Sequence, residues 1–388
     1  MSEESDYNEA LLKLRSEIEK IDTQILQLFD QRMKTAARVA ADKLISGKPV
    51  FDLAREDHLV AMAVSKTDPK HQTRAANLLK CLMRLSRGVQ YEWLLDQGKT
   101  FDILSLIHSG IDSWPENPRL VCQGAAGSYS AKACQMLFPD QSFYQTRTFE
   151  DACRVVWHNE ADVAVLPLEN TTAGTVDDVY DLLLKYDLYI WRSVSLPIRH
   201  VLAVSPGTKI NDIETVVSHP QALAQCSSYI KKHQWHIKES LNTAFAAQLV
   251  AEKKDHRMAA IASDTAAEAY QLTVLDAQIS NSSHNQTRFI AIGKKPLVIE
   301  DADRISLILK LPHQSGALAS TLAIFSDRHL NLTKIQSRPD PQLPWTYLFY
   351  LDFEAAASNR KAALATLYHL SQEMPYIRFI GWYRETEG

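Results

Sequence analysis

The stretch LLKLRSEIEKIDTQILQLFDQRMKTAARV, from Leu11 to Val39, decides the fold of the N-terminal part of the chain. It contains neither glycine nor proline, so nothing in it interrupts a helix. Its apolar residues recur at the spacing of one helix face, and they are Leu11, Leu14, Ile18, Ile21, Ile25, Leu28 and Val39. The pattern predicts one long amphipathic helix.

Two further helices are predicted after it, at 52–65 and 72–95. The next stretch, 98–118, contains Gly110, Pro115 and Pro118, which predict a loosely packed linker. From Arg119 the pattern changes to short β-branched runs that alternate with helical segments. The runs are LVCQ, DVAVLP, VLAVS, TVVS, MAAIAS and RFIAIG. They predict an α/β fold with a largely parallel sheet.

The last part of the chain, 304–387, has the pattern strand, helix, strand, strand, helix, strand. The four predicted strands are ISLILKLP, NLTKIQS, WTYLFYLDF and IRFIGWY. This βαββαβ order is that of the ferredoxin-like arrangement.

Composition narrows the function classes. The 388 residues are 46% hydrophobic and 23% charged, with a net charge of −4, which offers no basic field for nucleic acid or an anionic membrane. No apolar run approaches the ~18 residues of a membrane span, and the acidic N-terminus does not resemble a signal peptide. Five widely spaced cysteines without a C-x-x-C motif favour reduced thiols in a cytoplasmic protein without a zinc site. We expect no cofactor and no metal.

The spacing of three basic residues on the long helix limits which of them can share a pocket. Arg32 and Lys43 are 11 residues apart, about 20° in angle, so they share a face. Arg15 lies 28 residues before Lys43, roughly 42 Å away along a helix. No small ligand spans that distance. If Arg15 and Lys43 both serve the same kind of pocket, Arg15 has to reach a pocket of another chain. An antiparallel pair of long helices allows this arrangement.

Further polar candidates are Asp52, Arg55 and Glu56 on the second helix, and Ser86 and Gln90, an i, i+4 pair on the third. Each alone is more often a solvated surface residue. Together they resemble the all-helical chorismate mutase family, through LLKLRSEIEKID (11–22), QR (31–32), ADK (41–43), PVFDLAREDHL (49–59) and LSRGVQ (85–90).

The resemblance implies roles for these residues. Arg15 (from a partner chain), Arg32 and Arg55 would bind the two carboxylates of chorismate, with help from Ser86. Lys43 and Gln90 would donate hydrogen bonds to the ether oxygen at the breaking bond. Asp52 and Glu56 would lie near the ring hydroxyl or that oxygen. The rearrangement needs no nucleophile or proton transfer, so binding geometry and charge stabilisation suffice.

In the α/β part, polar segments follow predicted strands, where open α/β sheets bind ligands. They are GAAGSYS (124–130), ENTTAG (169–174) and SHPQ (218–221). Caps and turns alone would explain each, and the spacing is not that of a dinucleotide site. With NQTRF (285–289), they resemble prephenate dehydratase over 119–295. The resemblance implies a two-lobed fold in which Thr287 is the key hydrogen-bond donor. Asn170, Thr171, Ser218, Gln225 and Arg288 would contact prephenate, and His219 would cap a helix.

The C-terminal part resembles the ACT domain of prephenate dehydratases. The resemblance rests on Gly316-Ala317-Leu318 and on Gln336-Ser337-Arg338-Pro339, segments that in this family bind phenylalanine across a dimer interface. The family pattern has Glu where this chain has Gln336, which removes a negative charge near the amino acid's ammonium group. We expect phenylalanine feedback to be retained; a simple dimerisation module is the alternative.

The combined expectation is a cytoplasmic bifunctional enzyme, an isomerase and a lyase, that forms a homodimer or a higher homo-oligomer. Its parts would be an all-α mutase domain (1–97), a linker (98–118), a two-lobed dehydratase domain (119–296) and an ACT domain (303–388). Chorismate and prephenate would be substrates and phenylalanine the effector, with neither nucleic acid nor membrane as partner. Two alternatives remain: a monofunctional mutase with a non-catalytic ligand-sensing tail, and a ligand sensor without catalysis.

Overall fold

The N-terminal part of the chain is a helical unit. The computed structural model describes residues 2–282, 284–340 and 343–387. Its first four helices are α1 (Ser2–Ser46), α2 (Leu53–Ser65), α3 (Gln72–Asp96) and α4 (Asp102–His108). The Asp52 side chain caps α2 by accepting a hydrogen bond from the backbone N–H of Arg55 at 3.0 Å. The predicted long helix is confirmed.

The two halves of α1 have different surroundings. Ala36 and Ala40 in the C-terminal half are buried beside the rest of the helical unit. The apolar stripe of the N-terminal half is exposed, with Ile18 at 58% and Ile25 at 52% exposure. A stripe of this kind is normally covered by another element.

The prediction of a loosely packed linker is wrong. The helix α4 lies within residues 98–118, and Phe101 and Ile103 are buried in the main hydrophobic core. The ring of Phe101 stacks on that of Tyr368, with 4.9 Å between centroids. Glycine and proline punctuate this stretch, but its apolar residues still bury their side chains.

The middle unit has two lobes. The first contains β1 (Leu120–Gln123), α5 (Tyr129–Leu137), β2 (Phe143–Thr146), α6 (Phe149–Trp157), β3 (Val163–Asn170), β4 (Gly174–Thr175), α7 (Asp177–Lys185) and β5 (Tyr189–Pro197). The second contains β6 (Val201–Val204), β7 (Thr215–Ser218), α8 (Pro220–Gln225), α9 (Ser227–His233), β8 (His236–Glu239), α10 (Thr243–Lys253), β9 (Met258–Ala262), α11 (Asp264–Ala269) and β10 (Thr273–Asp276). The chain then returns to the first lobe through β11 (Gln286–Gly293).

Both sheets are mixed, so the prediction of a largely parallel sheet is wrong. In the first lobe β1 pairs parallel with β2 and β3, but β11 pairs antiparallel with β3 and β5. In the second lobe β7 is parallel to β8 and β9, while β6 is antiparallel to β9 and β10. The chain crosses between the lobes twice, and the returning strand enters against the direction of its neighbours.

The C-terminal unit has the predicted order of elements. They are β12 (Arg304–Lys310), α12 (Ala317–Ser326), β13 (Leu332–Pro339), β14 (Tyr347–Glu354), α13 (Arg360–Glu373) and β15 (Tyr376–Glu387). The strand order is β13-β14-β12-β15, with antiparallel neighbours. The end of β15 also pairs parallel with β5, so this sheet and that of the first lobe form one continuous ten-stranded sheet.

The C-terminal unit lies between the other two. On one side α13 packs against α3 and α4. On the other side its sheet packs against α7, where the rings of Tyr180 and Tyr350 meet edge to face at 4.6 Å. Within the described ranges no helix has the length and apolar character needed to cross a membrane.

Candidate active sites

The helical unit contains a polar cavity of about 470 Å³. Seven of the eight residues predicted for this site line it, namely Arg32, Lys43, Asp52, Arg55, Glu56, Ser86 and Gln90. They come from α1, the loop before α2, α2 itself and α3. The helical spacing of these residues in the sequence therefore places them around one shared cavity, which we call the helical pocket.

Cations dominate the wall that α1 contributes. Arg32 Nη1 donates to Ser86 Oγ and to the carbonyl of Leu82 at 2.6 Å. Lys43 Nζ donates to the carbonyl of Val50 at 2.7 Å. Burial, reinforced by the nearby charge of Arg55, lowers the pKa of Lys43. Guanidinium and ammonium groups arranged in this way suit a small dianion.

Arg15 lies outside the helical pocket. It is exposed on the N-terminal half of α1, next to the exposed apolar stripe. The separation expected from helix length is therefore present in the structure. Within one chain, the pocket is built without Arg15.

The middle unit joins its two lobes through a chain of amide side chains. Asn170 Nδ2 donates to Thr287 Oγ1 at 2.8 Å and to Asn285 Oδ1 at 2.7 Å. Asn285 Nδ2 donates to Gln225 Oε1 at 3.1 Å, and that oxygen lies 2.8 Å from His200 Nε2. Asn170 and Thr287 belong to the first lobe and Gln225 to the second. Three predicted residues thus meet where the lobes meet, at what we call the cleft network.

Thr171 borders this network. Its hydroxyl donates to the carbonyl of His284 at 3.1 Å and accepts from the N–H of Gln286 at 2.9 Å. His219 caps α8, since its Nδ1 accepts from the N–H of Gln221 at 3.3 Å, as predicted.

Ser218 and Arg288 are not brought to the cleft network. Ser218 is fully buried in the second lobe, where its hydroxyl donates to the carbonyl of Ile261 at 2.5 Å. Arg288 follows Thr287 on β11 and therefore points to the opposite face of the sheet. There it is buried and binds Asp352 Oδ2 at 2.6 Å and Glu169 Oε2 at 3.1 Å. Arg288 also lines a cavity of about 190 Å³ together with Thr171 and Gln286.

The two segments predicted for phenylalanine lie on different elements of the C-terminal unit. Gly316, with φ of 79°, is the N-cap of α12, whose first two residues are Ala317 and Leu318. Residues 336–339 belong to β13, an edge strand. Its Gln336 and Arg338 face the first lobe: Gln336 Oε1 accepts from Thr175 Oγ1, and Arg338 binds Asp181 at 3.0 Å. Ser337 and Pro339 are exposed on the other side.

Comparison with known proteins assigns the first two parts of the chain to families. Residues 14–91 match the model of the chorismate mutase type II family, and residues 120–297 match that of the prephenate dehydratase family. The bifunctional chorismate mutase/prephenate dehydratase of Escherichia coli (strain K12) is 32% identical over 374 residues, 94% of each chain. The chain belongs to this bifunctional family. The Enterobacter agglomerans member is 31% identical, over 96% of this chain and 95% of its own.

Among solved structures, a prephenate dehydratase from Arthrobacter aurescens in complex with L-Phe superposes with a TM-score of 0.62. It is 30% identical and covers 68% of this chain and 89% of its own. The similarity supports the two-lobed α/β fold of the dehydratase part.

Sequence reasoning missed three residues of these sites. Arg87 lines the helical pocket, from here on called the mutase pocket. It binds Glu56, with 2.5 Å between Arg87 Nη1 and Glu56 Oε1. It lies three residues before Gln90 on α3, so helical spacing was a signal that could have found it. In the dehydratase cleft, Asn285 is the first residue of the quoted NQTRF motif but was assigned no role, and no pattern pointed to His200. Burial lowers the pKa of this histidine, which favours its neutral form.

Proposed function

We propose that this chain is a bifunctional enzyme that rearranges chorismate to prephenate and then converts prephenate to phenylpyruvate. Its family membership supports both activities. The observation that carries the first activity is the convergence of seven matching polar residues on one cavity. The second rests on the cleft network around Thr287. The alternative of a non-catalytic tail is disfavoured because hydrogen bonds connect Asn170, Thr287 and Gln225 in that network.

In the mutase pocket, catalysis would follow from holding chorismate in its compact conformer. Arg32 and Arg55 would bind its carboxylates, with Ser86 supporting Arg32. Lys43 and Gln90 would donate to the ether oxygen, where negative charge grows as the carbon–oxygen bond breaks. Asp52 and Glu56 would lie near the ring hydroxyl or the ether oxygen. The hydrogen bonds from Lys43 and Gln90 strengthen in the transition state, so their loss should reduce kcat more than binding.

In the dehydratase cleft, Thr287 would help the ring hydroxyl to leave. Asn170 donates to Thr287 Oγ1, which directs the threonine's own O–H towards another acceptor. Asn170 is itself fixed, because its Oδ1 accepts from the N–H groups of Thr172 and Ala173 at 3.0 and 2.8 Å. The hydroxyl of prephenate would be that acceptor, leaving as CO₂ departs and the ring becomes aromatic. Asn170, Thr171 and Gln225 would line the substrate.

We propose a homodimer in which α1 pairs with α1 of a second chain. The exposed stripe from Leu14 to Leu28 supports this pairing, since solvent-exposed apolar faces of this size are rare on monomers. An antiparallel pair would bring Arg15 of one chain to the mutase pocket of the other.

We also propose that the C-terminal unit, 303–388, is a ferredoxin-like ACT domain that binds phenylalanine and lowers activity. The βαββαβ order supports the fold, and the L-Phe complex of the Arthrobacter aurescens protein supports the ligand. The other domain boundaries would be 1–97, 98–118 and 119–296. We further propose a cytoplasmic location, which the five widely spaced free cysteines support.

One experiment tests both activities. Chorismate is added to the protein and to Thr287→Ala, and prephenate and phenylpyruvate are measured over time. Wild type should form phenylpyruvate, whereas the variant should accumulate prephenate, with the second step slowed about a hundredfold or more. Thr287→Ser keeps the hydroxyl and should retain most of the second activity. A wild-type protein that leaves chorismate unchanged would exclude the mutase.

A further inference from the structure

A chain of charged side chains connects the mutase pocket to the C-terminal unit. Glu56, in the pocket wall, binds Arg87 Nη1 at 2.5 Å. The same guanidinium binds Glu373 of α13 through two bonds, Nε to Oε1 at 2.6 Å and Nη2 to Oε2 at 3.1 Å. Arg87 is thus shared between a pocket carboxylate and a carboxylate from another unit of the chain.

The far end of this connection is also fixed. His369, one helical turn before Glu373, is 1% exposed, and its Nε2 lies 2.8 Å from Glu373 Oε1. Its ring packs on that of Tyr91 with 4.8 Å between centroids. Arg328 approaches His369 Nδ1 at 3.4 Å and binds Glu92 of α3 at 3.0 Å. Glu373 therefore has little freedom to reorient.

The geometry of Arg87 leaves it no role as a carboxylate ligand for the substrate. Two carboxylates, those of Glu56 and Glu373, share the one positive charge of Arg87. The guanidinium also lies 4.9 Å from the centre of the ring of Phe51, the residue before Asp52 in the sequence. A planar guanidinium with a bidentate partner is held in orientation as well as position. Its effect on the pocket is to fix where the Glu56 carboxylate stands.

We propose that Glu373 is a positioning residue for the mutase reaction and acts through Arg87 on Glu56. The mutase pocket is then completed by a helix outside the mutase domain. This inference rests on the proposed role of Glu56 in the mutase pocket. It assigns to α13 a part in the first reaction, distinct from any part in binding phenylalanine.

The first test is Glu373→Gln in the full-length protein, which removes the charge and keeps the size. Without Glu373, Arg87 loses its bidentate anchor and is free to draw Glu56 away from its position. We expect kcat for chorismate to fall about tenfold to a hundredfold, as small misplacements of catalytic groups do, with a smaller change in KM. The dehydratase rate on added prephenate should stay at the wild-type value.

Asp327→Asn is the matched control. Asp327 belongs to the C-terminal unit and pairs with Arg84 of α3 at 2.9 Å, but that pair does not touch the pocket. The control makes the same carboxylate-to-amide change at the same interface and should leave the mutase kcat unchanged. Equal losses in the two variants would overturn the proposal, since they would reflect the interface as a whole.

A double variant separates positioning from a structural effect. In an Arg87→Met background, Glu373→Gln should cause no further loss of kcat, because its influence passes through Arg87. An undiminished further loss would contradict the proposal. So would a wild-type kcat in Glu373→Gln alone, although the proposed function would then stand, since wild type would still consume chorismate.

If Glu373→Gln does not fold, its dehydratase rate will also be lost, and a second variant is then used for the test. Arg87→Lys keeps the charge and the partner Glu56 but cannot make the forked contact with Glu373. It should reproduce the fall in kcat. A wild-type kcat in this variant would also overturn the proposal.

Discussion

Lys43 shows how a single position can set the pH range of a reaction. It is half-buried in the mutase pocket, and both its burial and the charge of Arg55 disfavour its protonated form. Its pKa therefore lies below that of an ordinary lysine. Because the proposed role needs the protonated ammonium, activity should be present at low pH and decline as pH rises.

The pH profile of the mutase reaction tests this role. We expect kcat for chorismate to fall at a pH lower than about 10.4, where an ordinary lysine titrates. Lys43→Arg should remove that decline, because a guanidinium stays protonated throughout the range. The dehydratase rate over the same pH values is the control. Parallel profiles for Lys43→Arg and wild type would show that another group causes the decline.

Asp352 presents the opposite electrostatic case. Burial raises the energy of its charged form, but Arg288, Ser306 and Lys334 outweigh burial, so the pKa of Asp352 is lowered. Such a carboxylate contributes stability at neutral pH that is lost as pH falls through its lowered pKa. The ion pair between Asp352 and Arg288 connects β14 to the dehydratase strand β11.

Replacing Asp352 by Asn should remove the nearer and more deeply buried of the two carboxylates that Arg288 binds, and leave it with Glu169. We expect the free energy of unfolding in urea at pH 7 to fall by about 3–5 kcal/mol, as for one lost partner of a buried ion pair. Asp162→Asn breaks the exposed pair with Arg119 and should cost less than about 1 kcal/mol. The difference between the two variants should shrink in acid. Equal stabilities at pH 7 would mean that the buried pair contributes nothing.

At this scale the sequence predicts sites on helices better than sites on strands. Arg32, Lys43 and Gln90 lie on helices whose angular spacing fixes which side chains share a face. Thr287 and Arg288 are neighbours on a strand and point to opposite faces, a rule that should have separated them at once. The partners of Arg288 could not be inferred, since the nearer one, Asp352, lies in a different unit.

Among the elements, α1 carries the clearest expectation about assembly. Its N-terminal half has an exposed apolar stripe together with Arg15, and its C-terminal half lines the pocket with Arg32 and Lys43. If two such helices pair antiparallel, each pocket contains residues of both chains. Variants in the two halves should then complement each other.

Co-expression of Arg15→Ala with Arg32→Ala tests this arrangement. Each variant alone should lose most mutase activity, because each removes a carboxylate ligand. Mixed dimers regain one intact pocket, so about a quarter of wild-type activity should return in a random mixture. The pair Arg32→Ala and Lys43→Gln, both from a pocket's own chain, should show no recovery. An absence of recovery in the first mixture would argue against a partner-supplied Arg15.

Elements that a long periodic pattern specifies were predicted correctly. Features that depend on contacts between residues distant in sequence were not. The presence of one long helix α1 and the order from β12 to β15 follow from local patterns. The direction of β11 depends on how the chain returns between lobes, which no local pattern encodes. The packing of Phe101 against Tyr368 likewise depends on a unit that is distant in sequence.

In the whole molecule, the C-terminal unit contacts both catalytic parts. Its edge strand β13 binds the first lobe through Gln336 and Arg338, and Gln336 accepts from Thr175. Thr175 ends the segment that begins with Asn170 of the cleft network. A ligand that moves β13 therefore has a short physical route to the dehydratase cleft.

Thr175→Val should weaken that route. It removes the hydroxyl that donates to Gln336 and keeps the shape of the side chain. We expect the dehydratase rate without phenylalanine to stay near wild type, while maximal inhibition by phenylalanine decreases. Thr333→Val, on the exposed face of β13, is the control and should leave inhibition intact. Unchanged inhibition in Thr175→Val would exclude this hydrogen bond as the connection.

The pairing of β15 with β5 also constrains how the protein is made. Residues 376–387 leave the ribosome long after residues 189–197, so the β5 edge of the first lobe stays open during most of synthesis. An unpaired edge strand is a template for association with other chains. The nascent dehydratase part should therefore need protection by chaperones until translation reaches β15, and ribosomes stalled before that point should yield aggregation-prone intermediates.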